Sequence, residues 1–157
     1  MVKVGDKAPD VQLIDSDRKQ TKISDYQGKL TVLAFFPGAF TGVCTKEMCM
    51  FRDGLSRLND LGASIVGISV DLPFSQKAFK DKYSIPFPLL SDYSREAVDA
   101  YDVALHDFVG LRGYTAAKRS IFILDEDGIV RFKWVSDDPK VEPDYERVYS
   151  EVQKLKK

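Results

Sequence analysis

Apolar residues bunch into short runs separated by charged turns, and two of these runs dominate the chain. Residues 30–36 (LTVLAFF) are nearly all apolar, which suits a central strand buried on both faces, and residues 64–70 (SIVGISV) read the same way. Between them Met48, Phe51, Leu55, Leu58 and Leu61 fall at helical spacing and stop at Gly62, predicting a helix over residues 43–61. Ahead of the first run, residues 11–14 and 20–23 surround a polar turn at 15–19 and predict a small hairpin. Beyond the second, residues 74–83 predict a helix, 86–90 a short extended piece, and 94–101 another helix. Residues 120–124 and 129–135 flank the turn Asp125-Glu126-Asp127-Gly128 as a hairpin. Residues 142–156 close the chain as an amphipathic helix. Strand–helix–strand followed by hairpin–helix predicts an α/β fold: a thioredoxin-like three-layer sandwich around a mixed central sheet, with an N-terminal β-hairpin extension.

At 157 residues the chain is expected to form one domain, spanning 1–157, large enough to bury a core without staples. Lys plus Arg number 23 against 24 Asp plus Glu, a net charge of −1, so there is no basic field for nucleic acid or an acidic membrane surface. No segment approaches the ~20 apolar residues of a membrane span, and the opening MVKVGDKAPDVQLID has no apolar signal core. A cytoplasmic location is expected, and there a structural disulfide between the chain's two cysteines, Cys44 and Cys49, is not.

Both cysteines lie in PGAFTGVCTKEMCMFRD, residues 37–53, directly after the first apolar run. Cys44 falls at the start of the predicted helix, where unpaired N–H groups and roughly half a unit of positive charge favour a thiolate. An ordinary cysteine is only about 3% thiolate at neutral pH, so a lowered pKa is expected for a reactive one. Cys49 lies more than a turn further in. Five residues along a helix separate Cα atoms by roughly 8.6 Å, beyond the ~6.8 Å limit of a disulfide. The sulfurs therefore cannot bond while the helix is intact, and a pair that meets only after unwinding competes with two inert buried thiols. Zinc is disfavoured by two Cys, one His (His106) and no ligand cluster, and a thioredoxin-type oxidoreductase needs cysteines three apart. His106 reads as a surface or packing residue, Trp134 as core, and Glu47 as a favourable first-turn charge. The patterns GxGxxG, GxxxxGK[ST] and GxSxG are absent.

The run PGAFTGVC resembles the peroxiredoxin active-site signature, here Pro37, Thr41 and Cys44. The following TKEMCMFRD resembles the bacterioferritin-comigratory, or peroxiredoxin Q, branch, an atypical two-cysteine type. VGDKAPDVQL, QGKLTVLAFFP, FPLLSD and KRSIFILDEDG resemble further family segments, the last carrying the family's active-site arginine as Arg119. Gly42 departs from the Pro that many members have after the Thr. The resemblance implies a thiol peroxidase acting on hydrogen peroxide and organic hydroperoxides through a sulfenic acid on Cys44. It implies resolution by Cys49 as an intramolecular disulfide and recycling by a thioredoxin- or glutaredoxin-like donor. No metal, haem or flavin is implied. Members form dimers or larger rings, so a homodimer is one expectation for the assembly. A one-cysteine peroxidase with an inert Cys49, and a redox-sensing or chaperone-like protein on the same fold, are the alternatives.

Overall fold

The computed structural model describes residues 2–156. The N-terminal hairpin consists of β1 (Gln12–Asp15) and β2 (Gln20–Lys22), paired antiparallel around a tight polar turn. The two apolar runs form β3 (Leu30–Phe35) and β4 (Ala63–Ser69), which lie parallel. A short strand, β5 (Leu89–Ser91), continues the parallel set beside β4. The later hairpin, β8 (Ser120–Leu124) and β9 (Val130–Val135), joins the other side of β3 antiparallel. The resulting seven-stranded order is β2-β1-β5-β4-β3-β8-β9, the mixed sheet that the pattern predicts. Two two-residue strands, β6 (Ala104–Leu105) and β7 (Ala116–Ala117), pair outside it. Runs this short leave no periodicity to read.

Alternation along β3 sends Val32 and Ala34 to one face and Leu33 and Phe35 to the other, so one strand feeds two cores. The first core is covered by α1 (Gly42–Asp53), α2 (Leu55–Asp60), α3 (Pro73–Tyr83) and α5 (Tyr145–Leu155), through Met48, Phe51, Leu58, Phe79, Val148 and Val152. The second packs Ala97 and Val98 of α4 (Glu96–Ala100) against Leu33, Phe35 and Phe122. Helices on both faces of one sheet make the three layers.

The single helix expected over residues 43–61 is two. It breaks at Gly54, where any side chain would overlap the hydroxyl of Tyr149 on α5. The Arg57 guanidinium lies 4.4 Å over the Tyr149 ring and pairs with both Glu146 oxygens at 2.9 and 3.0 Å, fastening α2 to α5. Apolar spacing runs unbroken across Gly54 because both short helices face the same core. Among the described residues no helix is long and apolar enough to cross a membrane.

The sheet also sets the position of the reactive loop. Phe35, the last residue of β3, pairs with Ser120, the first of β8. The segment leaving β3 and the residue entering β8 therefore meet at one end of the sheet.

Candidate active site

Residues 37–41 leave β3 and turn into α1. Pro37 and Gly38 are buried, and Phe40 has a left-handed φ of 66°, its ring set edge-on against Phe79 of α3. Thr41 is the N-cap of α1 but does not cap with its hydroxyl, which donates to the Gly38 carbonyl at 2.8 Å. Its carbonyl instead accepts from both the backbone N–H and the hydroxyl of Thr45, at 2.9 and 2.8 Å. The loop and first helical turn are thereby closed on themselves, and Cys44 is carried into the core with no exposed surface.

Arg119, just ahead of β8, meets Cys44 across the end of the sheet. Its Nη2 donates to Cys44 Sγ at 3.2 Å and to the Pro139 carbonyl at 2.7 Å, while Nη1 donates to Glu47 Oε1 at 2.9 Å. Only 1% of the arginine is exposed, so the surface cation that its position alone would suggest is absent. Glu47 also departs from expectation: it is fully buried and ion-paired to Arg119, not a solvated first-turn charge. Three residues beyond Cys44 on one helix, it faces the same side, and that spacing is the signal that could have found it. Pro139 belongs to the segment between β9 and α5, which Lys46 fastens to α1 through a 3.0 Å ion pair with Glu142.

Burial pushes the Cys44 thiol above its ordinary pKa. The Arg119 charge and hydrogen bonds from Thr41, the Gly38 backbone and Arg119 pull the other way without prevailing. The lowered pKa expected at the helix start is therefore corrected: desolvation of the buried sulfur outweighs the Arg119 charge and the hydrogen bonds around it. Burial likewise raises Glu47 to about 7 against the charge and hydrogen bond of Arg119, and its Oε2 finds no hydrogen-bond partner among the described residues.

Pro37, Thr41, Cys44 and Arg119, four of the five residues singled out from the sequence, line one pocket of about 210 Å³. Gly42, Val43, Phe108, Val109, Pro139 and Lys140 complete its wall. Val109 is a missed contributor: a β-branched residue at φ 49°, 70% exposed at the mouth. Cys49 is the fifth. It lies in α1, partly buried, with both cysteines free and the helix unbroken between them. His106 is exposed, and its ring bonds the Thr115 hydroxyl at 3.1 Å. Among the described residues no group of three or more His, Cys, Asp or Glu could hold a metal ion.

Known proteins resemble the chain throughout. A family model described as the AhpC/TSA family matches residues 4–133. A putative peroxiredoxin bcp of Coxiella burnetii is 36% identical over 143 residues, covering 91% of this chain and 92% of that protein. The crystal structure of peroxidoxin BcpB from Mycobacterium tuberculosis superposes with a TM-score of 0.87 at 29% identity, over 100% of both chains. A structure of the bacterioferritin comigratory protein of Xanthomonas campestris, described in terms of its alkyl peroxide reduction, gives 0.84 at 26% identity, over 100% of this chain and 99% of that one. A likeness that runs from the N-terminal hairpin through the cysteine loop to the Arg119 strand leaves one assignment: the chain belongs to the AhpC/TSA family, among peroxiredoxins of the Bcp and peroxiredoxin Q type, and is a thiol-dependent peroxidase.

Proposed function

We propose that Cys44 is the peroxidatic nucleophile, that Arg119 and Thr41 bind and polarise the peroxide, and that Cys49 resolves the product within the same chain. The observation that carries this reading is the buried Arg119 Nη2–Cys44 Sγ contact of 3.2 Å inside a pocket open to solvent. In the first step the thiolate attacks the near oxygen of ROOH, the O–O bond breaks, and the far oxygen leaves as RO⁻ and takes a proton. Sulfur is oxidised to Cys–SOH and the peroxide is reduced to ROH or water. Negative charge moves from sulfur to the departing oxygen, and a permanently cationic guanidinium beside the sulfur stabilises both ends of that path. The Thr41 hydroxyl, which can rotate away from Gly38, and the free N–H groups of the first α1 turn supply further donors. Pro37 has no N–H and shields the thiolate from water. The Phe108 and Val109 wall favours peroxides with an apolar substituent, in keeping with the alkyl peroxide reduction described for the Xanthomonas protein.

In the second step the Cys49 thiolate attacks the sulfenic sulfur, the S–O bond breaks, hydroxide leaves and takes a proton to become water, and a Cys44–Cys49 disulfide forms. A dithiol donor of thioredoxin or glutaredoxin type then restores both thiols and is itself oxidised. With five residues of helix between the cysteines, the first turns of α1 must open before the second step. That opening breaks the Lys46–Glu142 and Glu47–Arg119 ties. Mass spectrometry of the reduced protein after one equivalent of peroxide tests the scheme. An intramolecular Cys44–Cys49 bridge is expected; a lasting sulfenic acid on Cys44, or a bridge between chains, overturns resolution by Cys49 in the same chain. Peroxide turnover that survives Cys44→Ser would overturn the nucleophile.

A further inference from the structure

The peptide joining Gly38 to Ala39 is held at both ends: its N–H, on Ala39, donates to Asp71 Oδ2 at 2.8 Å, and its carbonyl, on Gly38, accepts from the Thr41 hydroxyl at 2.8 Å. Asp71 follows β4 and is 32 residues away in sequence. It is held on several sides. Ser69 Oγ donates to the same carboxylate oxygen at 2.6 Å, and Ser91 Oγ donates to the Asp71 carbonyl. Ser69 is in turn fixed by the buried Gln76 amide, which donates to its hydroxyl at 2.8 Å and to the Leu90 carbonyl at 2.9 Å. The ends of β4 and β5 and the first turn of α3 thus hold Asp71 in place, and its carboxylate holds one peptide of the cysteine loop.

We propose that Asp71 is a positioning residue for peroxide reduction: by accepting the Ala39 N–H it fixes the Gly38–Ala39 peptide, whose carbonyl receives the Thr41 hydroxyl, and so places Thr41 beside Cys44. The inference rests on Cys44 being the nucleophile. A carboxylate accepting an N–H makes a shorter, stronger bond than a neutral acceptor. The Ala39 N–H and the Gly38 carbonyl belong to one peptide, so where Asp71 holds the N–H decides where the carbonyl meets the Thr41 hydroxyl. Gly38 also packs between the two groups: a Cβ built on it would stand in van der Waals contact with both, 3.9 Å from Asp71 Oδ1 and 3.7 Å from Thr41 Cγ2. The carboxylate charge itself opposes a nearby thiolate, so the benefit must come through geometry, and the amide isostere separates the two.

The test compares wild type, Asp71→Asn and Asp71→Ala as full-length reduced proteins. Stopped-flow with hydrogen peroxide gives the oxidation rate, and peptide mapping gives the pH profile of Cys44 alkylation. For Asp71→Ala the oxidation rate constant is expected to fall about tenfold, part of the ~10² that misplacing a reacting group can cost. The alkylation midpoint should move to higher pH, while disulfide formation from the sulfenic acid keeps its rate. Asp71→Asn, which retains an acceptor, should stay within about threefold of wild type, as a neutral acceptor about half as strong would. Wild-type rate and midpoint in Asp71→Ala overturn the proposal, and so does an Asp71→Asn variant as slow as Asp71→Ala. If Asp71→Ala does not fold, amide exchange decides: an Ala39 N–H protected in wild type and still protected in Asp71→Asn is expected, and an Ala39 N–H exchanging like an open loop in either protein overturns the proposal. Cys44→Ser is run alongside: turnover surviving there refutes the nucleophile, whatever Asp71 does.

Discussion

At the scale of single residues, Arg119 shows how one side chain takes meaning from three partners. It serves a sulfur, a carboxylate and a carbonyl at once, through two nitrogens of a rigid fork. A lysine presents one compact ammonium and cannot span those acceptors. Arg119→Lys should therefore lower the rate constant for peroxide by about 10², the scale of losing one transition-state donor, while the circular dichroism spectrum is retained. Stopped-flow oxidation measures it, and a loss under threefold would count against the fork. Val109 acts on the substrate's other end. Val109→Gly, which suits the left-handed φ of 49° and removes the apolar wall, should slow cumene hydroperoxide reduction relative to hydrogen peroxide. An unchanged ratio of the two rates would remove Val109 from the specificity argument.

The same scale explains what could be read in advance. Cys44, Thr41 and Pro37 were legible because their spacing is local, and Arg119 only through the segment KRSIFILDEDG. Glu47 was not legible as a buried ion pair, because an acid in a helix is ordinarily a solvated surface group. Its partner stands 72 residues away. Asp71 is hidden for the same reason: nothing near it in the chain announces that Ala39 will lie against it.

Between residue and molecule, the elements divide along a similar line. β3 and β4 were readable as apolar runs, and α3 and α5 within a few residues of their ends. The break between α1 and α2 was not, since it is set by Tyr149 approaching from the far end of the chain. Gly54 is thus required by a neighbour, and its φ of −93° is open to any residue. Gly54→Ala is expected to destabilise the protein by about 1–3 kcal/mol through overpacking. Tyr149→Phe, which deletes the overlapping hydroxyl, should recover part of the loss in the double variant. Urea unfolding of the four proteins gives the coupling, and additive losses would place the strain elsewhere.

Across the whole molecule, the buried Glu47 links the site to stability. Its folded pKa of about 7 lies above the ordinary 4.5, so between those values the folded state holds a proton that the unfolded state has released. Stability from this group is fully present below pH ~4.5 and declines as pH rises through 7, by up to about 3 kcal/mol. Glu47→Gln keeps the side chain's shape and removes the titration. Relative to wild type it should gain stability between pH 5 and pH 8, read as a difference in urea midpoints; parallel pH profiles would refute the linkage.

The pairing of Phe35 with Ser120 carries one more consequence. Arg119 and Cys44 stand 75 positions apart in the chain, and a one-residue slip of β8 against β3 would turn the arginine to the wrong face of the sheet. Loop closures of that length come late and slowly in folding. A refolding chain will therefore regain its helical signal before it can destroy peroxide. Recovered peroxidase activity becomes a clock for the moment at which the antiparallel half of the sheet locks into register.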